Sequence, residues 1–186
     1  MYENDNELYH HGVKGQKWGV HRRKNTPRSP KRSKSELQNT PQRKKENSII
    51  QITKDNTEYG IKNQTRKMSK EDAELYKLNM YSDATIANKY LNKLDRDSLS
   101  RMESGNMRSN ERILATIFGK DFCYNQFKSS MRITDELSTY YAEKGKEAMK
   151  NLSDMGVMYE PVSSYRTFVS GKSYISWQGT EYVRKK

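Results

Sequence analysis

From Ile113 to Met155 an apolar or small residue recurs at every third or fourth position, and no other pattern constrains the fold of this chain so tightly. Ile113, Leu114, Ile117, Phe118 and Phe122 open the series; Cys123, Phe127, Met131, Thr134, Leu137, Tyr141, Gly145, Ala148, Leu152 and Met155 continue it. Because 3.6 residues complete a helical turn, this spacing puts them on one face of a long amphipathic helix. The stripe is expected to form the core. Gly119 is expected to kink the helix or split it in two, since an interior glycine costs about 1 kcal/mol relative to alanine. Gly156 stands where a left-handed C-cap would end it.

The flanking segments supply what the stripe packs against. Ser48–Thr53 and Glu58–Ile61 are short β-compatible runs around the turn-prone Lys54–Thr57, which predicts a hairpin. Ser69 is followed three residues later by Asp72 and then by Ala73, Leu75, Tyr76, Leu78 and Met80, the signature of a capped helix start. A second cap at Ser82 or Asp83 is expected to lead into Ile86, Ala87, Tyr90, Leu91 and Leu94. Ser104-Gly105-Asn106 interrupts. Near the C-terminus, Tyr165–Ser170 and Ser173–Trp177 alternate with period two around Gly171-Lys172, which fits a hairpin with a two-residue loop. Gln178-Gly179 is expected to turn the chain again into Thr180–Arg184.

With 186 residues, 32% of them hydrophobic, and a mean hydropathy of −1.15, the chain has apolar material for one small core. Charge is unevenly spread: residues 1–50 hold 12 Lys+Arg and 5 Asp+Glu, which is +7 of the net +12. Between His21 and Asn47 stand three of the four prolines and ten cations, with Leu37 the only aliphatic residue. Such a segment cannot bury enough apolar surface to offset its conformational entropy, so disorder is expected there. The expected architecture is therefore α+β: a helical domain with one long amphipathic helix and a small antiparallel C-terminal hairpin or sheet, preceded by a disordered basic tail. The expected divisions are a leader over 1–23, a linker over 24–47 and a folded domain over 48–186.

The residues offer little to catalysis. His10, His11 and His21 are the only histidines; adjacent histidines do not easily reach one ion, and no Cys, Asp or Glu stands at zinc-site spacing near them. Cys123 lies on the apolar stripe with no histidine in the domain to activate it, so it is read as a small buried hydrophobe. Glu136, Glu143 and Glu147 fit the solvated face of an amphipathic helix. Gly12–Lys17 lacks the strand, the following helix and the Gly-Lys-Ser/Thr tripeptide of a phosphate loop. No enzyme, cofactor or metal is expected. One cysteine and the lack of an apolar signal-peptide core suit a reducing cytoplasm, or a particle assembled in one. No run approaches the roughly 18 apolar residues of a membrane span, so no membrane partner is expected.

The leader is the densest stretch of special residues. His11-Gly12-Val13-Lys14-Gly15-Gln16-Lys17-Trp18-Gly19-Val20, with the lead-in Glu7-Leu8-Tyr9 and the trailing Arg22-Arg23, resembles the His-Gly-x-Lys-Gly-x-Lys-Trp-Gly-x-Arg-Arg signature at the start of small proteins of tailed bacteriophages and prophages. Those proteins are associated with the structural, head-region gene block. Two departures stand out: His21 is inserted before the arginines, and a Pro/Lys-rich tail replaces the Gln-Asn and Gly-rich continuation. The resemblance implies a phage-encoded structural or assembly-associated protein whose partner is a portal, capsid or related protein, located in the virion or in the host cytoplasm during assembly.

Physically the leader suits docking. Trp18 is a rigid anchor of the kind that dominates binding energy; Lys14, Lys17, Arg22 and Arg23 suit an acidic rim; and Gly12, Gly15 and Gly19 permit close backbone approach. With His11 these are the candidate partner-binding residues. The alternative is that Trp18 folds back onto its own domain as a staple. A second function class rests on Arg22, Arg23, Lys24, Arg28, Lys31, Arg32 and Lys34, which could neutralise phosphates in a sequence-independent, salt-sensitive way. A third is a small effector enzyme delivered with the particle, which would need a convergent polar pocket in the domain.

Overall fold

The computed structural model describes residues 40–170 and 173–185, with the backbone alone for 166–170 and 173–177. Four helices come first: α1 Pro41–Thr65, α2 Lys70–Glu103, α3 Ser109–Phe118 and α4 Lys120–Asp154. Two antiparallel strands, β1 Tyr159–Ser170 and β2 Ser173–Arg184, complete the described chain.

Local sequence signals account for most of the boundaries. Ser69 caps α2 by accepting from the Asp72 N–H at 3.1 Å. Gly119 sits at φ 88°, a conformation that disfavours any side chain, and there the long apolar series divides into α3 and α4. Beyond Asp154, Gly156 at φ 69° donates to the Ser153 carbonyl and Val157 donates to the Leu152 carbonyl, both at 2.9 Å. This pair of bonds is a Schellman motif, and Val157 completes it by packing on the cluster that contains Leu152.

The paired α2 and α4 form the frame. They run antiparallel: Tyr124 bonds Glu103 at one end, Asn92 donates to the Met131 carbonyl midway, and Asn151 bonds Glu74 at the other end. Gly145 lets the two backbones approach, so that a Cβ there would lie 3.8 Å from that of Tyr81. Ile50, Ile61, Tyr81, Leu137 and Tyr141 form one buried cluster, and Leu78, Ala148 and Leu152 form another. The second cluster is flanked by Tyr159 and Tyr182, which ties the sheet to the helices.

Four expectations are corrected. Residues 48–61 form no hairpin; they lie within α1, which starts at Pro41 instead of Ser48 and so takes in the last residues assigned to the linker. Thr40 caps it, accepting from the Arg43 N–H at 3.3 Å, and Pro41 occupies its first turn, where a missing N–H costs nothing. Its inward stripe is Glu46, Ile50, Thr53, Thr57 and Ile61, with Glu46, Ile50 and Ile61 buried and the two threonines half-buried. Secondly, Ser82 and Asp83 cap nothing, because α2 passes through them unbroken and its apolar face continues on both sides.

Thirdly, β2 does not turn at Gln178-Gly179. Its register with β1 runs from Ser170↔Ser173 through Ser164↔Gly179 to Tyr159↔Arg184. The loop residues Gly171 and Lys172 lie outside the described residues. Fourthly, the leading part of the apolar stripe is not core: Ile113, Leu114, Ile117, Phe118 and Phe122 are all exposed, as is Met155 at the far end. Within α3 the position facing the bundle belongs to Glu111.

Candidate functional site

None of the residues singled out for docking or phosphate contact falls in the described part. His11, Gly12, Lys14, Gly15, Lys17, Trp18, Gly19, Arg22 and Arg23 lie outside the described residues, as do Lys24, Arg28, Lys31, Arg32 and Lys34. What the folded part brings together instead are three buried or half-buried carboxylates, each gripped by residues from another element.

Glu58 on α1 receives two phenols. Tyr81 Oη donates to it at 2.9 Å from Oε2 and 3.0 Å from Oε1, and Tyr140 Oη donates to Oε1 at 3.0 Å. Burial, reinforced by the bond to Glu58, pushes the Tyr140 phenol up to about 12 and raises that of Tyr81 as well. Both therefore stay protonated donors at neutral pH; neither can serve as a base. Beside them opens a polar cavity of about 150 Å³ lined by Glu58, Glu74, Lys77, Tyr81, Lys144 and Glu147, among others. Lys77 pairs with Glu74, Lys144 pairs with Glu147 at 2.8 Å, and Asn151 donates to Glu74 at 3.0 Å, while Glu58 is held by the two phenols alone. The cluster clamps α1 onto α2 and α4.

Glu46, one face of the same helix nearer its start, is buried and accepts from Ser129 at 2.5 Å and Gln42 at 3.3 Å while pairing with Arg132. A buried carboxylate costs heavily unless it is bonded in this way. Here Ser129 and Arg132 come from α4, so their bonds to Glu46 fix the first turns of α1 against it.

Glu111 fixes α3. Arg101, near the end of α2, donates to it from Nε at 3.0 and 3.1 Å and from its terminal nitrogen at 2.5 Å. The Glu111 carboxylate also accepts the Arg108 backbone N–H at 2.8 Å, as a glutamate at the third helical position does in a capping box. The Arg101 bonds hold its carboxyl down at about 2. With its folded value depressed, Glu111 contributes stability that is full above the ordinary carboxylate value of about 4.3 and is lost as pH falls from there towards 2. Glu111→Gln is therefore expected to be less stable than the parent at pH 7, with the gap between their urea midpoints closing between about pH 4.5 and 2. A constant gap across that window would show that the ionised form carries no special weight.

These carboxylates were not read as a site from the sequence, although two signals were present. Glu111 stands at the third helical position after Arg108, and Glu46 shares a four-residue step with Ile50. Asn79 left no signal at all: its amide accepts from the Tyr182 N–H at 2.7 Å and donates to the Tyr182 carbonyl at 2.9 Å, docking β2 on α2. Cys123 is buried, and Glu136 and Glu143 are exposed. Among the described residues no group of three or more His, Cys, Asp or Glu is placed to hold a metal ion, and no helix is long and apolar enough to cross a membrane.

The described residues define a mostly helical α+β body with a two-stranded C-terminal sheet, in which buried carboxylates act as clamps between helices. A protein-family model, described as a family of unknown function (DUF7211), matches residues 1–25. The searches of curated proteins and of solved structures each found no match.

Proposed function

We propose that this is a phage-encoded, non-enzymatic structural or assembly-associated protein of the head region, which docks on a portal, capsid or related protein through His11, Gly12, Lys14, Gly15, Lys17, Trp18, Gly19, Arg22 and Arg23. The observation that carries this reading is the span of the family match. It covers residues 1–25, the stretch that holds every one of these residues, which supports reading them together. A short peptide rich in glycine and cations around one tryptophan suits recognition, since a rigid aromatic anchor concentrates binding energy and glycines let a partner's backbone come close.

The test is to purify virions from wild-type and Trp18→Ala phage and to quantify this protein in each by mass spectrometry. Removing an anchor of at least about 2 kcal/mol should cut incorporation some thirtyfold while leaving the melting curve of the isolated protein unchanged. Equal incorporation overturns the role of Trp18, and absence of the protein from particles and assembly intermediates overturns the structural role. A lowered melting temperature would assign Trp18 to its own domain. Strong binding to DNA or RNA that needs residues 22–45 and vanishes at moderate salt would favour the nucleic-acid reading instead.

A further inference from the structure

The first turns of α1 and the early turns of α4 enclose a groove of about 400 Å³ whose lining is polar throughout: Gln42 and Glu46 on one side, Asn125, Lys128, Ser129 and Arg132 on the other. Glu46 is its buried member, already satisfied by Gln42, Ser129 and Arg132. The donors are less well provided for. Lys128 is exposed and makes no ion pair among the described residues; its ammonium rests 4.3 Å from the centre of the Tyr124 ring. The Arg132 Nε is buried without a hydrogen-bond partner, and the exposed Asn125 side chain has none among the described residues either. A buried guanidinium nitrogen without an acceptor is costly, and an incoming oxyanion would relieve it.

Positive charge is in excess there as well. Arg43, half-buried in the first turn of α1, forms no ion pair among the described residues. Burial first, and then the charge of Arg43, weaken the hold of Arg132 on its proton, while Glu136 acts in the opposite sense. Arg43, Lys128 and Arg132 thus share the single carboxylate of Glu46. The acids beyond lie outside the lining: Asp135 and Glu136 stand a turn past Arg132 in the next depression with Lys54, which is 3.7 Å from Glu136, and Asp121, a turn before Asn125, stands beside the exposed Lys120. The first turn of α1 holds no acidic residue, and the exposed Lys44 and Lys45 follow Arg43.

We infer that the groove binds a phosphate group, with Lys128, the Arg132 Nε and the Asn125 amide donating to its oxygens and Arg43 adding positive charge. A tetrahedral dianion accepts from several directions at once, which suits donors spread along the groove, whereas a carboxylate offers two oxygens in one plane. The lining has no apolar side chain to hold an acyl chain or a hydrophobic peptide anchor. Its volume leaves room for a phosphate and the sugar attached to it, so the group belongs either to a nucleic-acid backbone or to a free phosphate or nucleotide. The inference rests on the folded part alone and is independent of what the leader binds.

Titration of the isotopically labelled full chain with inorganic phosphate to about 20 mM, followed by NMR at fixed ionic strength so that screening stays constant, tests it residue by residue. A few charge-assisted bonds in an open groove fit a dissociation constant of about 1 mM. The Arg132 Nε–H and Asn125 side-chain amide resonances should shift together and saturate. Lys128→Gln should weaken binding about tenfold, and Asn125→Asp, which sets a carboxylate in the groove, at least about thirtyfold. Lys146→Gln, about five turns further along α4, should change nothing. Both groove positions are exposed, and equal melting of the parent and these variants without phosphate shows that folding is intact. A short thymidine oligonucleotide then separates the sources: a shift of the same resonances that Lys128→Gln diminishes assigns the phosphate to a nucleic-acid backbone, and a response to inorganic phosphate alone assigns it to a free phosphate or nucleotide. Groove resonances that neither probe shifts to saturation, or shifts equal in the parent, Lys128→Gln and Asn125→Asp, overturn the proposal.

Discussion

Leu152→Ala is expected to lower the unfolding free energy by about 2–5 kcal/mol, the range measured when a buried leucine is cut back and its cavity only partly collapses. Leu152 is fully buried. It joins Leu78 of α2 and Ala148 of its own helix, and Leu75, Met149, Val157, Tyr159 and Tyr182 pack around that cluster. One side chain thus holds α2, α4 and the base of the sheet, so the surrounding residues cannot all move in to fill the space. Leu137→Ala, in the other cluster, belongs in the same range. Phe127→Ala should cost less because that ring is only half-buried, and Lys146→Ala on the exposed face should cost nothing measurable. Urea unfolding of the four variants checks the order; a Leu152→Ala midpoint equal to that of Lys146→Ala would disprove the packing described.

Tyr141→Ala is expected to be at least as damaging, about 3–5 kcal/mol, while Tyr141→Phe should cost only about 0.5–1.5 kcal/mol. The ring is the larger part. It is 2% exposed, stacks on Tyr81 at 6.3 Å between centroids and meets Tyr140 edge-on at 5.3 Å. The hydroxyl bonds Thr57 at 2.8 Å and donates to the Thr53 carbonyl at 3.5 Å; Thr57 separately donates to that carbonyl at 2.9 Å, so both keep a partner when the phenol is removed. Comparable losses for the two variants would mean that the hydrogen bond, and not the ring, joins α1 to α4.

The family match on residues 1–25 and the clamps of the folded part concern different stretches of chain. The proposed docking role rests on the first, the proposed phosphate site on the second. A variant of Trp18 and a variant of Lys128 therefore report on separate surfaces, and neither outcome decides the other.

Where a feature depended on a few neighbouring residues, it was legible. Ser69 with Asp72 marks the start of α2, because a hydroxyl satisfies an orphan N–H within one turn. Gly119 divides the long apolar series and Gly156 ends it, since both backbone conformations exclude a Cβ on local steric grounds. From Cys123 to Leu152 the stripe faces inward with its period intact, and the centre of the C-terminal hairpin falls where alternation and Gly171-Lys172 put it.

Tertiary structure decided the rest, because the deciding partners are remote in the chain. The β-branched residues of 48–61 look strand-like alone, and the helix shows only when Glu46, Thr53 and Thr57 are counted on its inward face. Their place there is made good by Ser129, Arg132 and Tyr141, more than 80 positions later. Likewise β2 runs straight past Gln178-Gly179 because β1 lies opposite and Asn79 satisfies the Tyr182 backbone. The apolar residues of α3 read as core by period alone. Arg101 reverses that reading: by drawing Glu111 inward it turns Ile113, Ile117 and Phe118 to the surface, and the period of a helix fixes which residues share a face but not which face meets the protein.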